Sequence, residues 1–173
     1  MDIIDEVINE VRTGLDEGVW EGDHKYKWIR DLQVKTKGTK AEQIYCEWAR
    51  RSKCKVEKAQ NKDHDCIVDS EKDEVKLSTL DKTGKSFTFW QIRQFQDYDN
   101  LVFVCVFPDD PVQIWKMTSD DFMDYIEKNT TEQDWAGGKT KRQKLDNKIR
   151  KNDNFHWVKP VDKEWPDKAR RLV

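Results

Sequence analysis

Two stretches of this chain alternate apolar with polar residues at a period of two, DCIV at residues 65–68 and EVKLST at residues 74–79. Alternation of this kind marks half-buried strands. It sets Asp65 and Ile67 on one face of the first strand, and Glu74, Lys76 and Ser78 on one face of the second. The polar run at residues 69–72 is short enough to turn the chain between them, so the pair predicts a β-hairpin. Further on, the unbroken apolar run LVFVCVF at residues 101–107 predicts a strand buried on both faces. A turn at Pro108, Asp109, Asp110 and Pro111 then leads into a further strand, VQIWKM, at residues 112–117.

Helical spacing flanks these strands. In TKAEQIYCEWARR, residues 39–51, Ile44, Tyr45 and Trp48 recur at helical intervals behind Thr39 as a cap, which puts Glu42 in the first turn. Residues 118–128 predict another helix: Thr118 and Asp121 have capping-box-like spacing, and Met117 can staple onto Phe122. Residues 1–15 predict an amphipathic helix with Ile4, Val7, Ile8, Val11 and Leu15 on its apolar face. The predicted order is helix, strand, hairpin, short helix, buried strand, strand, helix, with FTFWQIRQ at residues 87–94 in the place of the short helix. It describes an α/β fold with a central mixed β-sheet flanked by helices.

Pairing of the hairpin brings Asp65 near Glu74, with Lys76 beside them. Two carboxylates make a hard oxygen site suited to magnesium, and a lysine can orient or activate a water for attack on a phosphodiester. The same residues also suit a solvated hairpin edge of alternating charge. Glu42 is open to two readings as well, since an acid in a first helical turn is favoured by the helix dipole alone.

The Asp65, Glu74, x, Lys76 pattern resembles the PD-(D/E)XK nuclease superfamily, which carries an Asp, then Asp or Glu, any residue and Lys on adjacent strands. His64 stands where the family name has Pro. A helix before the hairpin often lends an additional acid in that superfamily, a role Glu42 matches by position. The element order over residues 39–128 is most like small type II restriction endonucleases, so the resemblance implies a restriction-endonuclease-like core. It further implies a magnesium-dependent endonuclease that hydrolyses DNA phosphodiester bonds, with manganese as a substitute ion. Asp65, Glu74, the Val75 carbonyl and Glu42 would hold metal, and Lys76 would position the water. Double-stranded DNA would be the substrate and a homodimer the cutting unit, because two-fold symmetry in the protein matches that of a palindromic site. Ser78, Thr79, Gln91, Arg93 and Gln94 are the candidate DNA contacts beside the site, and Gln94 with Tyr98 has the Gln-x-x-x-Tyr spacing of exonucleases in the superfamily. A junction resolvase or repair nuclease has the same core, and a non-catalytic DNA-binding or protein-interaction domain is the alternative from another class.

Composition changes the picture at the C-terminal end. With 173 residues, 36% apolar, the chain supports one core, and a single domain is expected: a lead-in at residues 1–38, a catalytic core at 39–128 and a basic, aromatic segment at 129–173. The net charge of −2 conceals a division, since residues 136–173 hold twelve Lys or Arg against five Asp or Glu. That segment is basic and interleaved with Phe155, Trp157 and Trp165, which suits either a polyanion with stackable bases or a tail whose aromatics dock on the core. Lys139, Lys141 and Arg142 are its candidate DNA contacts. No stretch approaches a membrane span and no apolar signal segment begins the chain, so a cytoplasmic, non-membrane protein is expected. Cys46, Cys54, Cys66 and Cys105 are then expected as reduced thiols, and their spacing lacks the close pair of a zinc site. No nucleophile-elbow serine and no phosphate-binding glycine loop occurs.

Overall fold

The computed structural model describes Ile4, Val7 and residues 16–93, 96–129 and 154–173. Its architecture is mixed α/β. A 3-10 turn at Gly18–Trp20 and a short helix α1, Lys27–Arg30, lead into the long helix α2, Val34–Arg51. Strands β1 (Val56–Lys58), β2 (Cys66–Val68), β3 (Glu71–Thr79), β4 (Ser86–Arg93), β5 (Asn100–Val106) and β6 (Gln113–Thr118) follow. Helix α3 covers Ser119–Asn129, and β7 (Asn154–Pro160) and β8 (Arg170–Arg171) complete the described chain.

Six strands form the central sheet in the order β1-β2-β3-β5-β6-β8, with β3 and β5 parallel and every other pair antiparallel. The parallel pair requires a crossover, and β4 supplies it by leaving the sheet and pairing with β7 in a second, two-stranded sheet. Because paired residues point to the same side, Asp73 and Val75 share a face with Asn100 and Val102, while Glu74 and Lys76 share the opposite face with Leu101 and Phe103. Helix α2 packs on the first face, and its Tyr45 reaches Asp73. The β4–β7 sheet covers the second, where Phe89, Phe103, Phe122 and Trp157 pack ring against ring.

β5 is buried along its whole length, as its apolar run requires. α3 starts where expected: Asp121 N–H donates to Thr118 Oγ1 at 3.1 Å, which satisfies one of the helix's free amides. Three expectations change. α2 begins at Val34 and not at Thr39, so Gly38 lies inside it with open space around its Cα, and the Thr39 hydroxyl bonds back to Lys35 O. Residues 86–93 form a strand where a short helix was expected, because Phe87 and Phe89 alternate into the core. The C-terminal segment contributes strands: Trp157 is buried between the sheets, and Trp165 stacks on Trp115 at 4.6 Å. Full burial of a large apolar side chain is worth about 1.5–3 kcal/mol, so Trp157 serves the core, with Trp165 partly buried against it. The expected helix at residues 1–15 lies mostly outside the described residues, of which Ile4 and Val7 are helical. No helix among the described residues is long and apolar enough to cross a membrane.

Candidate active site

The hairpin turns on two residues, Asp69 and Ser70, both with positive φ (50° and 73°). This is the two-residue primed turn whose twist matches that of the flanking strands. It fixes the register: Cys66 faces Asp73, and the Asp65 N–H donates to Asp73 O at 3.0 Å. Asp65 lies just before the paired residues, and its charge acts on Glu74, the residue of β3 that follows Asp73.

β2 ends at Cys66, so residues 75–79 of β3 have no strand partner on that side among the described residues. The Asp65 side chain closes the first gap in the ladder: its Oδ2 accepts the Val75 N–H at 2.7 Å. A side chain thus takes the place of a missing carbonyl, which anchors the Asp65 carboxylate at the start of an open strand edge.

Glu74 is buried and accepts a hydrogen bond from Lys76 Nζ at 2.7 Å. Burial pushes its carboxyl above the ordinary value, and the neighbouring Asp65 charge adds to the rise while Lys76 and Arg93 oppose it. Burial likewise raises Asp65, against its hydrogen bond from Val75 and the Lys76 charge. Glu42 rises for the same two reasons, burial and then the charge of Asp65. The three acids therefore share one electrostatic neighbourhood with a single close ammonium, an arrangement in which added positive charge is favoured. Glu42 sits in the interior of α2 rather than its first turn, so the helix dipole does not account for it.

A metal ion fits this donor set only in a particular way. Among the described residues no three His, Cys, Asp or Glu side chains stand close enough to cage a cation. Magnesium is commonly held by one or two carboxylates with substrate phosphate oxygens and water supplying the rest. Asp65 and Glu74, close enough for the charge of one to raise the other, suit that requirement, and Glu42 lies within electrostatic reach of Asp65.

The other expected contacts divide. Thr79 and Gln91 line a cleft of about 640 Å³ beside the open edge of β3. Ser78 reaches the same cleft, but its hydroxyl is engaged within the fold, accepting the Thr88 N–H at 2.9 Å and donating to Thr79 O at 3.1 Å. Arg93 is exposed and lowers the Glu74 carboxyl from the end of β4. Gln94, Lys139, Lys141 and Arg142 lie outside the described residues. Tyr98 stands near enough to Glu74 to feel its charge, and its buried hydroxyl has no hydrogen-bond partner among the described residues. The chain matches no protein-family model, no curated protein and no solved structure. The site therefore rests on its own geometry.

Sequence reasoning missed the buried network behind the site. Asp73, fully buried, accepts hydrogen bonds from Tyr45 at 2.6 Å, Asn100 at 2.9 Å and Lys116 at 3.0 Å. Its neighbours come from α2, β5 and β6, and only the pairing of β3 with β5 brings them together. The one available signal was an Asp inside a strand, where burial demands partners. His64 is structural: its Nε2 accepts the Gln60 N–H and its Nδ1 donates to Asp97 O. Both ring nitrogens are used, which removes it as a zinc ligand.

Proposed function

We propose that this chain is a magnesium-dependent nuclease with a restriction-endonuclease-like core, cutting DNA phosphodiester bonds at Asp65, Glu74 and Lys76. The observation that carries the reading is the meeting of Asp65, Glu74 and Lys76 where β3 loses its strand partner: the Asp65 carboxylate holds the Val75 N–H, its charge acts on Glu74, and Lys76 is hydrogen-bonded to Glu74. An ion held there would offset the charge that develops on the phosphate. Asp65 is fixed for that task by the Val75 N–H, and Glu74 by the Lys76 ammonium. Lys76 also lines the cleft, so its Nζ is placed to orient a water against a phosphate seated beside β3. Cutting both strands of a duplex at one palindromic site would call on a second copy of the chain.

A second reading has its own observation. Lys76 already pairs with Glu74, and no ready-made cation cage exists among the described residues, which also suits a domain that binds DNA without cutting it. The deciding experiment incubates purified protein with plasmid, single-stranded circle and branched DNA in magnesium, beside Glu74→Gln, Lys76→Ala and a chelator control. Products that fall by a factor of about 10² or more in each control establish the nuclease. Retained DNA affinity without products in any arm establishes the binding domain.

A further inference from the structure

We infer that the cleft beside β3 seats an unpaired nucleotide of a DNA strand, its base stacked on Trp90 and its phosphate held by Arg30 and Lys37. The inference rests on the nuclease reading for the identity of the polymer and deepens it by naming the form of the substrate. A volume of about 640 Å³ falls in the roughly 300–1,000 Å³ range of small-molecule sites. A base within a duplex is already paired and stacked on its neighbours, so an exposed aromatic ring takes up an unpaired one.

The wall of the cleft is built for display. In β4 the alternation that sends Phe87 and Phe89 inward would send the residue at 91 inward too. A bulge between Phe89 and Ile92 interrupts it, and Ile92 takes the buried position instead. Trp90 and Gln91 are both left exposed on the cleft side, with Gln91 at φ +56°. A non-glycine residue in the left-handed region is strained, and bulges of this kind re-aim side chains next to sites. Trp90 is 61% exposed, a large aromatic left in water, while His156 packs against it with ring centroids 4.2 Å apart. Burial lowers the His156 pKa, so at neutral pH it backs the indole as an uncharged ring.

The same cleft is lined by two cations, Arg30 and Lys37. Arg30 is held over the Trp20 ring at 5.2 Å and donates to Leu80 O at 3.3 Å. Lys37 donates to Arg30 O at 3.0 Å. Neither has an ion-pair partner among the described residues, whereas the other charges are engaged: Lys76 with Glu74, Lys82 with Asp16, and Asp81 with Thr83, Lys85 and Ser86. Two cations without ion-pair partners and an exposed indole lining one cleft suit the phosphate and the base of a single strand, and the Lys76 lining joins that seat to the candidate active site.

The test measures binding of a 12-nucleotide oligo-dT and a 12-base-pair blunt duplex by fluorescence anisotropy, in chelator so that nothing is cut. Wild type should prefer the single strand. Trp90→Ala should weaken single-strand binding about ten-fold, in line with roughly 1–3 kcal/mol per stacked base, and leave duplex binding unchanged. Trp90→Phe should restore most of the loss, and Lys37→Ala should reduce the salt slope by about 0.7. Unchanged single-strand affinity in Trp90→Ala, or equal affinity for duplex, overturns the seat even in a protein that cuts DNA. Trp90-dependent single-strand binding by a protein that cuts nothing in magnesium upholds the seat and overturns the nuclease reading.

Discussion

Tyr45 on α2 donates its phenolic proton to Asp73 on β3 across 2.6 Å, in a spot from which water is excluded. Asp73 precedes Glu74, so this bond fixes the face of β3 that turns Glu74 toward the site. Burial raises the Asp73 pKa, while Tyr45, Lys116 and Asn100 hold it back. Tyr45→Phe should cost about 1.5–3 kcal/mol, the worth of a hydrogen bond to a charged group. Lys116→Met should cost about 3–5 kcal/mol, because it leaves a buried charge unpaired. Urea unfolding measures both, and an unchanged midpoint in Tyr45→Phe would show that the hydroxyl does not hold the helix to the sheet.

Glu74→Gln should stabilise the fold while abolishing the proposed activity. The folded-state pKa of Glu74 lies above the ordinary 4.5, so its ionised form is worse placed in the fold than in the unfolded chain. That penalty is fully present above the folded pKa and disappears as pH falls through it toward 4.5. The variant should therefore gain about 0.5–2 kcal/mol near neutral pH, seen as a Tm increase of about 2–4 °C per kcal/mol. The gain should shrink as the melts are moved to acid. A variant less stable than wild type at pH 7 contradicts the assignment of Glu74 as a strained carboxylate.

Magnesium should raise the Tm of wild type and leave that of Asp65→Asn unmoved. An ion that binds only the folded state stabilises it by mass action, about 2.7 kcal/mol at a hundredfold excess over Kd. The carboxamide oxygen of that variant could still accept the Val75 N–H, so loss of the magnesium response would report the charge and not the hairpin. Equal shifts in both proteins would place the ion elsewhere.

Much of this site was legible because its signals are local. The hairpin depends on alternation and a short polar turn, and Asp65, Glu74 and Lys76 lie within it. β5 announced itself by an apolar run, and α3 by Thr118. What was illegible depends on distant partners. Nothing near Val34 marks a helix start, because α2 is anchored by packing along Ala41, Tyr45 and Ala49 rather than by a side-chain cap. FTFWQIRQ contains a bulge, which breaks the period of two and hides a strand. Arg30 and Lys37 drew no attention in sequence, since only the fold brings them to one cleft with Trp90.

Gly18→Ala should be among the most damaging small substitutions. Gly18 has φ +55°, and a Cβ there would lie 1.9 Å from the carbonyl oxygen of Lys82, the same oxygen that accepts the Val19 N–H. Backbone cannot yield as a flexible side chain does. A loss of about 2–4 kcal/mol is expected from the strain and the broken contact. A melt within about 2 °C of wild type would mean that the segment around Gly18 shifts without cost.

The exit of β4 from the main sheet has a consequence for how the chain matures. As it leaves the ribosome, the β2–β3 hairpin can close at once and β5 can dock soon after. β4, however, has its strand partner in β7, and the outer edge of β6 waits for β8. Pairings so distant in sequence form late and expose apolar surface while they wait. The wall that carries Trp90 is therefore completed only after residues 154–171 have emerged, so Asp65, Glu74 and Lys76 come together on the nascent chain before the cleft beside them is finished.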